Sequence, residues 1–418
     1  MVNIHYSNHD IKGKSCTDWT RMGLIPPNLE VEIPYRVLLP AGLDGILVAG
    51  KAISATHDGL PAIRMQADLE NLGGVVALAA AQAVRAGGVP REVAIPDLQR
   101  RLVESGLLPA RILTRTLAPR HYTNDALAAL VDSLTADKAL YSYSDMDMGE
   151  VYEGSIPIVE ICTVGARIIP YLEKALRGAT GQRRVLLAQA LATYGSSSGV
   201  PTLLREVERA LSGDTLPARD SHIRHAGFPP DQDAMPDVVY LIYSLGMARD
   251  PRSVPVWVRV ADRLNPTLDD IRDRVKGTFY YVDAVCVGAE RLGDPAAIPC
   301  LMTLHSYPVL RDQVALHGYQ SDVFPERQAT LELTIARALA RCGSPEGVRI
   351  LASYLPDCRA LLAEHAHSEL VAITGLDLGK DAQAWKDWVG GAAGVLEAHP
   401  VQGGLETEYQ GQTILREH

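Results

Sequence analysis

The feature that most constrains the fold is a set of helix-stop and helix-start residues that recurs along the chain. Each copy places a glycine a few residues before an apolar run, with a proline in or shortly before that run, and most copies put a serine or aspartate after the glycine. Glycine readily adopts the left-handed conformation that ends a helix, whereas Ser or Asp caps the next helix and Pro fits its first turn. The copies lie at residues 164–172, 194–203, 245–255, 292–301 and 342–351, and the later ones recur at about fifty residues. This pattern predicts a series of packed helix pairs.

The punctuation resembles that of HEAT-like or armadillo-type α-solenoids, whose periods reach this length at their upper end. The resemblance implies an all-α HEAT-like solenoid over residues 111–395, in which each second helix buries its apolar face against neighbouring repeats. Long polar insertions at 142–152, 220–237 and 304–327 are either plain surface loops or loops that build a binding face. The Gly-rich tail, residues 396–418, is expected to be exposed or loosely docked.

A different pattern occupies residues 33–88. Residues 45–50 form a short apolar run bounded by glycines, which is typical of a strand buried on both faces. A polar turn follows at 51–59, and a helix rich in small residues is predicted over 68–86, stopped by Gly87 and Gly88. A second helix is predicted over 96–104. This order predicts an α+β N-terminal portion, with few strands plus helices.

Several short sequence blocks in this region occur in a characteristic order. They read IPYR at 33–36, LLP at 38–40, LVAG at 47–50 and ISATH at 53–57, followed by Arg64 and the pair Gly73 and Gly74. Together they resemble the C-terminal, cofactor-contacting segment of FAD-dependent oxidoreductases of the glutathione-reductase-like superfamily. The resemblance runs from about residue 5 to about residue 108. It implies that residues 1–110 are the C-terminal part of such a domain, with an incomplete FAD-binding fold.

The resemblance also implies roles for individual residues. The cofactor-binding candidates, expected to face the isoalloxazine ring of FAD, are Gly50, Ser54, Thr56, Arg64, Leu72, Gly73 and Gly74. The catalytic candidates are Lys51 and His57, since a histidine can exchange protons near neutral pH. A cation such as Arg64, or a helix N-terminus near residues 72–74, would favour the negatively charged reduced flavin. Two plainer interpretations stay open: a solvated loop at 51–59, and glycines at 73 and 74 that only permit close packing.

The other half of such an enzyme is missing from the sequence. Members of this superfamily begin with a βαβ unit that carries G-x-G-x-x-G, and the 418 residues contain no such motif. FAD binding would then require a complementing chain or domain that carries the dinucleotide-binding half. The alternatives are a truncated product, a flavin-free use of the fold, or a non-catalytic α-solenoid that binds proteins and retains a degenerate flavoprotein remnant. The substrate is an unknown small molecule.

Composition narrows the function classes further. Fifty acidic and forty basic residues give a net charge of −10, which argues against general nucleic-acid binding. Six cysteines without a C-x-x-C pair favour reduced thiols and a cytoplasmic location. No apolar run reaches the roughly 18–20 residues of a membrane span. His5 and His9 have a spacing that could hold a metal on a helix, but their surroundings favour a loop, and no metal is expected.

Overall fold

The computed structural model describes residues 2–3, 30–31, 33–55, 63, 66–114, 121–134, 157–218, 235–273, 275–318, 323–392 and 396–401. The chain divides into two compact units. The first unit holds the described residues up to Tyr122, and the second holds those from Thr123 onward. Within the described ranges, no helix is both long enough and apolar enough to cross a membrane.

The first unit is built on two helices, α1 (Gln66–Arg85) and α2 (Ile95–Glu104). Two-residue strands β1 (Val2–Asn3) and β2 (Glu30–Val31) pair antiparallel. The remaining described residues form loops and short 3-10 turns, at Tyr35–Leu38, Gly50–Ala52, Pro90–Glu92 and Ala110–Leu113.

The strand predicted at residues 45–50 does not form. Residues 46–49 lie outside any sheet, and Gly50 opens a 3-10 turn. The Val48 amide donates to the Leu38 carbonyl at 2.8 Å, and the Ser54 amide donates to the Val37 carbonyl at 3.0 Å. These backbone bonds go to the turn at Tyr35–Leu38 instead of a neighbouring strand. The prediction of an α+β portion with an incomplete FAD-binding fold is therefore wrong, and the described chain is mostly α-helical.

Helix α1 confirms the predicted small-residue helix, with its start two residues earlier. Its end is also confirmed, because Gly87 and Gly88 take positive φ angles of 116° and 91°. The Gly88 amide donates to the Ala83 carbonyl at 2.7 Å, which closes the last turn. Alanines on α1, including Ala79, let α2 approach closely, and the two helices bury a shared cluster with Leu98.

The described part of the second unit is built mainly of helices. Along the chain they are α3 (Asn124–Ser133), α4 (Pro157–Thr163), α5 (Ile169–Gly178), α6 (Gly181–Thr193), α7 (Val200–Ala210), α8 (Asp237–Met247), α9 (Val254–Arg263), α10 (Leu268–Arg272), α11 (Thr278–Leu292), α12 (Ile298–Ser306), α13 (Val323–Arg341), α14 (Pro345–Ser353), α15 (Ala360–Thr374) and α16 (Ala382–Ala392). Helix α8 packs against α11, α11 against α13, and α13 against α14 and α15.

The predicted helix punctuation is confirmed most fully between α11 and α12. Gly293 ends α11 in the left-handed conformation, and the Asp294 side chain accepts a hydrogen bond from the Ala296 amide at 2.8 Å. Pro299 occupies the first turn of α12. Gly343 likewise has a positive φ of 88° after α13, although Ser344 makes no side-chain capping bond.

One copy uses its glycine differently from the prediction. Gly246 lies inside α8 and does not end it, because Arg249 takes the left-handed conformation there with φ of 52°. A Cβ atom on Gly246 would lie 2.6 Å from the Cα of Gly288, so this glycine allows α8 and α11 to cross closely. The assignment of the helix pairs to HEAT-like repeats stays a prediction.

Candidate functional site

The first unit contains a cavity of about 680 Å³. It lies between the turn at Tyr35–Leu38, helices α1 and α2, and the segment 107–112. Its wall is mostly aliphatic, with Leu38, Leu72, Val75, Leu98, Leu102 and Leu107 among the lining residues. Polar side chains also line it, namely Arg36, Asp68, Asn71, Arg91 and Gln99. Its volume and apolar character are those of a pocket that buries a ligand or part of a partner.

Two sets of hydrogen bonds hold the cavity's edges together. The Tyr35 hydroxyl donates to the Pro90 carbonyl at 2.9 Å, and burial raises the pKa of the Tyr35 phenol above its usual value. The Arg91 guanidinium donates to the Pro40 carbonyl at 3.0 Å and to the Asp44 carboxylate at 3.2 Å. Both sets join the 33–44 stretch to the turn between α1 and α2, so the wall is fixed across a long sequence separation.

Leu72 is the one cofactor-binding candidate that lines this cavity among those described. Its side chain is buried and packs with Leu38 and Ile53. Asp68, Leu72 and Val75 follow the i, i+4, i+7 spacing of one helix face. That spacing is the signal in the sequence that could have identified Asp68 and Val75 as neighbours of Leu72.

Gly73 and Gly74 differ from each other in their surroundings. A Cβ on Gly73 would meet nothing within 4 Å, whereas a Cβ on Gly74 would lie 2.9 Å from a methyl of Leu107. Gly74 therefore has the close-packing role that the sequence left open. Both residues lie in the interior of α1, beyond the first four amides that lack partners within the helix. The backbone near residues 72–74 therefore lies inside the helix and not at its N-terminus, and its role toward the flavin stays a prediction.

Gly50, Lys51 and Ser54 lie in and just after the turn at Gly50–Ala52. Gly50 has a positive φ of 71°, which favours glycine there. The side chains of Lys51 and Ser54 are exposed, and the described cavity is not lined by any of these three residues. The candidates Thr56, His57 and Arg64 lie outside the described residues, as do His5 and His9, so their roles stay predictions.

The polar residues Tyr35 and Arg91 were not given roles from the sequence. Tyr35 belongs to the block at 33–36, but its partner Pro90 lies 55 residues away, and no local pattern connects the two. Arg91 likewise bonds to carbonyls 48 and 51 residues earlier. Such long-range bonds depend on the fold and carry no sequence periodicity.

The match to known proteins covers this unit. The family described as FAD dependent oxidoreductase matches residues 1–102. The match supports an FAD oxidoreductase segment at this part of the chain, and we call residues 1–102 the flavoprotein-like segment. It includes the cavity wall as far as Leu102 in α2. No curated protein and no solved structure matches the chain.

The described residues fit one end of an FAD molecule better than the other. The mostly apolar wall of the cavity, to which Leu72 contributes, suits a flat aromatic ring system. The pyrophosphate of FAD needs a glycine-rich turn at a helix N-terminus, and the 418 residues have no G-x-G-x-x-G motif. Within the described ranges, no group of three or more His, Cys, Asp or Glu side chains is placed to hold a metal ion.

Proposed function

We propose that residues 1–110 supply the isoalloxazine-side part of the flavin site in an FAD-dependent oxidoreductase. The observation that carries this proposal is the family match over residues 1–102. The dinucleotide-binding half, with its G-x-G-x-x-G motif, is contributed from outside these 418 residues, by a further segment or by another chain. FAD is then held only in the completed assembly.

The proposed roles of single residues follow from their chemistry. Leu72 offers an apolar wall to the ring, whereas Gly50, Ser54 and Gly73 do not line the described cavity and would contact the flavin only in the completed assembly. Arg64, with Thr56, stabilises the negative charge of the reduced flavin. Lys51 and His57 are the candidates for proton transfer to or from the small-molecule substrate.

The apolar surface of the first unit is the place where the absent half docks. The cavity is mostly aliphatic. Two large apolar side chains that follow the lining residues 33–39 in the sequence are exposed, Leu43 by 55% and Ile46 by 48%. We take Leu43 and Ile46 as candidate contacts of the absent half, because burying them against a partner would remove them from water. Covering this surface removes apolar area from water at about 25 cal/mol per Å², which favours association.

The second unit serves as a helical-repeat body of the HEAT-like class. One observation favours a different function for the whole chain: the strand predicted at 45–50 does not form, although it should be central to a flavin-binding sheet. On this alternative, the chain is a non-catalytic α-solenoid that binds proteins, and the flavoprotein-like segment is a degenerate remnant.

Co-purification with a chain carrying the G-x-G-x-x-G half distinguishes these two functions. The first function predicts a complex that contains flavin, and Ile46→Asp should weaken both complex formation and flavin retention. The matched control is Leu361→Asp, at a leucine of the second unit that is 85% exposed. If Ile46→Asp leaves complex formation unchanged, or if the complex contains no flavin, the scaffold function is favoured.

A further inference from the structure

Residues 396–401 form an extended segment across the ends of two long helices, and we call this segment the strap. The His399 amide donates to the Arg341 carbonyl at 2.8 Å, and the Val401 amide donates to the Glu290 carbonyl at 3.0 Å. In an extended chain, alternate residues face the same side, so His399 and Val401 can each meet one helix. The acceptors belong to the last turns of α13 and α11.

The strap completes the hydrogen bonding of the α13 end. The last four carbonyls of a helix have no partner within the helix. Here Ala338 accepts from the Cys342 amide, Leu339 from Ser344 and Ala340 from Gly343, all at 2.9–3.0 Å. The fourth carbonyl, that of Arg341, accepts from the strap. The strap thus provides the hydrogen-bond donor for the Arg341 carbonyl, which the local turn leaves without one.

Two arginine side chains bind the strap from the opposite direction. The Arg341 guanidinium donates to the His399 carbonyl at 3.2 Å and also pairs with Glu369 of α15 at 2.8 Å. The Arg249 guanidinium, at the end of α8, donates to the Val401 carbonyl at 2.7 Å. The two strap residues that donate to helix carbonyls therefore also accept from arginines, and three neighbouring helices take part.

The cap residues of these helices are fitted to the strap. A Cβ on Gly293 would lie 2.6 Å from the Pro400 ring, and a Cβ on Gly343 would lie 3.1 Å from the Leu396 carbonyl oxygen. Arg249 occupies the corresponding left-handed position after α8, with φ of 52°. Gly293 and Gly343 thus stand where the strap passes close to the helix ends, and Arg249 stands where its guanidinium binds the last residue of the strap.

We propose that the strap is a lock that holds the ends of α8, α11 and α13 in a fixed spacing, so that its release loosens these helix ends together. The lock also supports two buried ion pairs. Glu290, whose carbonyl binds Val401, pairs with Arg337 through two bonds of 2.6 Å, and Arg341 pairs with Glu369. Release of the strap therefore weakens the attachment of α15 through Glu369 as well.

Hydrogen-exchange mass spectrometry on the full chain tests this lock. Val401→Pro removes the amide that binds Glu290 while keeping the strap extended. We expect amides in the last turns of both α11 and α13 to exchange roughly five- to tenfold faster, since one hydrogen bond to each helix end is lost or loosened. Amides in α6 and α7 should keep their rates. Faster exchange at α11 alone, or unchanged rates at both helix ends, would overturn the proposal.

A second variant guards against a general loss of structure in the proline variant. Arg249→Met keeps an unbranched apolar side chain and removes the guanidinium that binds the Val401 carbonyl. It should speed exchange at His399 and Val401 and, to a smaller extent, at the ends of α11 and α13. The matched control is Arg349→Met, at a surface arginine that pairs with Glu346 on the same helix. If the two methionine variants exchange alike, the strap is not a lock.

Discussion

The Tyr35 hydroxyl donates a 2.9 Å hydrogen bond to the Pro90 carbonyl across 55 residues of sequence. This bond joins the block at 33–36 to the turn between α1 and α2, and Tyr35 and Arg91 of these two segments line the cavity. The cavity wall that we assign to the flavin ring thus depends on the Tyr35–Pro90 bond, and both residues belong to the flavoprotein-like segment.

Tyr35→Phe should loosen this side of the cavity while keeping the aromatic ring in the wall. The phenyl ring stays in place while the Pro90 carbonyl loses its donor. We therefore expect the free energy of unfolding of the first unit to fall by about 0.5–1.5 kcal/mol. Hydrogen exchange at residues 35–38 and 90–93 measures the change. Unchanged exchange at the Pro90–Glu92 turn would show that the bond does not hold the two segments together.

Gly73 and Gly74 provide a matched pair of substitutions on one helix. Gly73→Ala should stabilise α1 by about 0.5–1 kcal/mol, because alanine is the better helix former and its Cβ meets nothing. Gly74→Ala gains the same propensity, but its Cβ would lie 2.9 Å from a methyl of the half-buried Leu107, and shifting that side chain should leave a smaller gain than Gly73→Ala gives. Hydrogen exchange of the α1 amides gives the free energy of opening of this helix in each variant and so compares the two. Equal stabilities would contradict the packing role of Gly74.

Glu332 in α13 is the acceptor of four hydrogen bonds and should control the acid stability of the second unit. Burial alone would raise its pKa, but donors from His305, Tyr354 and the amides of Gln313 and Asp312 outweigh that effect and lower it. A carboxyl with a lowered folded pKa contributes stability above its unfolded pKa of about 4.3, and this contribution is lost as pH falls through the folded pKa.

Glu332→Gln should therefore destabilise the second unit at pH 7 by at least about 1.5–3 kcal/mol. The difference from the unchanged protein should shrink as pH falls from the unfolded pKa of about 4.3 through the lower folded pKa, where Glu332 itself becomes protonated. Urea denaturation at several pH values measures both effects. Glu346→Gln, at a half-exposed carboxylate whose ion pair lies at the surface, is the control and should stay within about 0.5 kcal/mol. A pH-independent difference would contradict the account of Glu332.

Arg64→Ala should weaken flavin retention in the completed assembly and make the bound flavin harder to reduce. The reason is the loss of a cation that favours the negative reduced ring. Flavin content and the midpoint potential of the assembly are the measurements. If both are unchanged, Arg64 does not have the role that the sequence blocks assign to it.

Local signals in the sequence predicted the helices well. The small residues and the Gly87–Gly88 stop located α1 to within two residues, and Gly293, Asp294 and Pro295 marked the junction of α11 and α12. These features act within one or two turns of chain, so they can be read directly from neighbouring residues.

Non-local features could not be read in the same way. The run at 45–50 indicated burial and extension, and Leu47 and Val48 do pack on an apolar cluster, but a strand also needs a partner to bond with. The tail at 396–418 was expected to be exposed or loosely docked, and residues 397–399 are indeed exposed, but the bonds of the strap to helix ends more than 50 residues earlier carry no local signal. Arg249 could not be recognised as a helix cap, since its left-handed conformation is unusual for arginine.

The flavin content of the completed assembly tests the central claim most directly. The chain is purified with the segment or partner that carries G-x-G-x-x-G, and the FAD released on denaturation is measured per chain. Our account predicts close to one FAD per assembly and little FAD on the 418-residue chain alone. A stable assembly without FAD would contradict it.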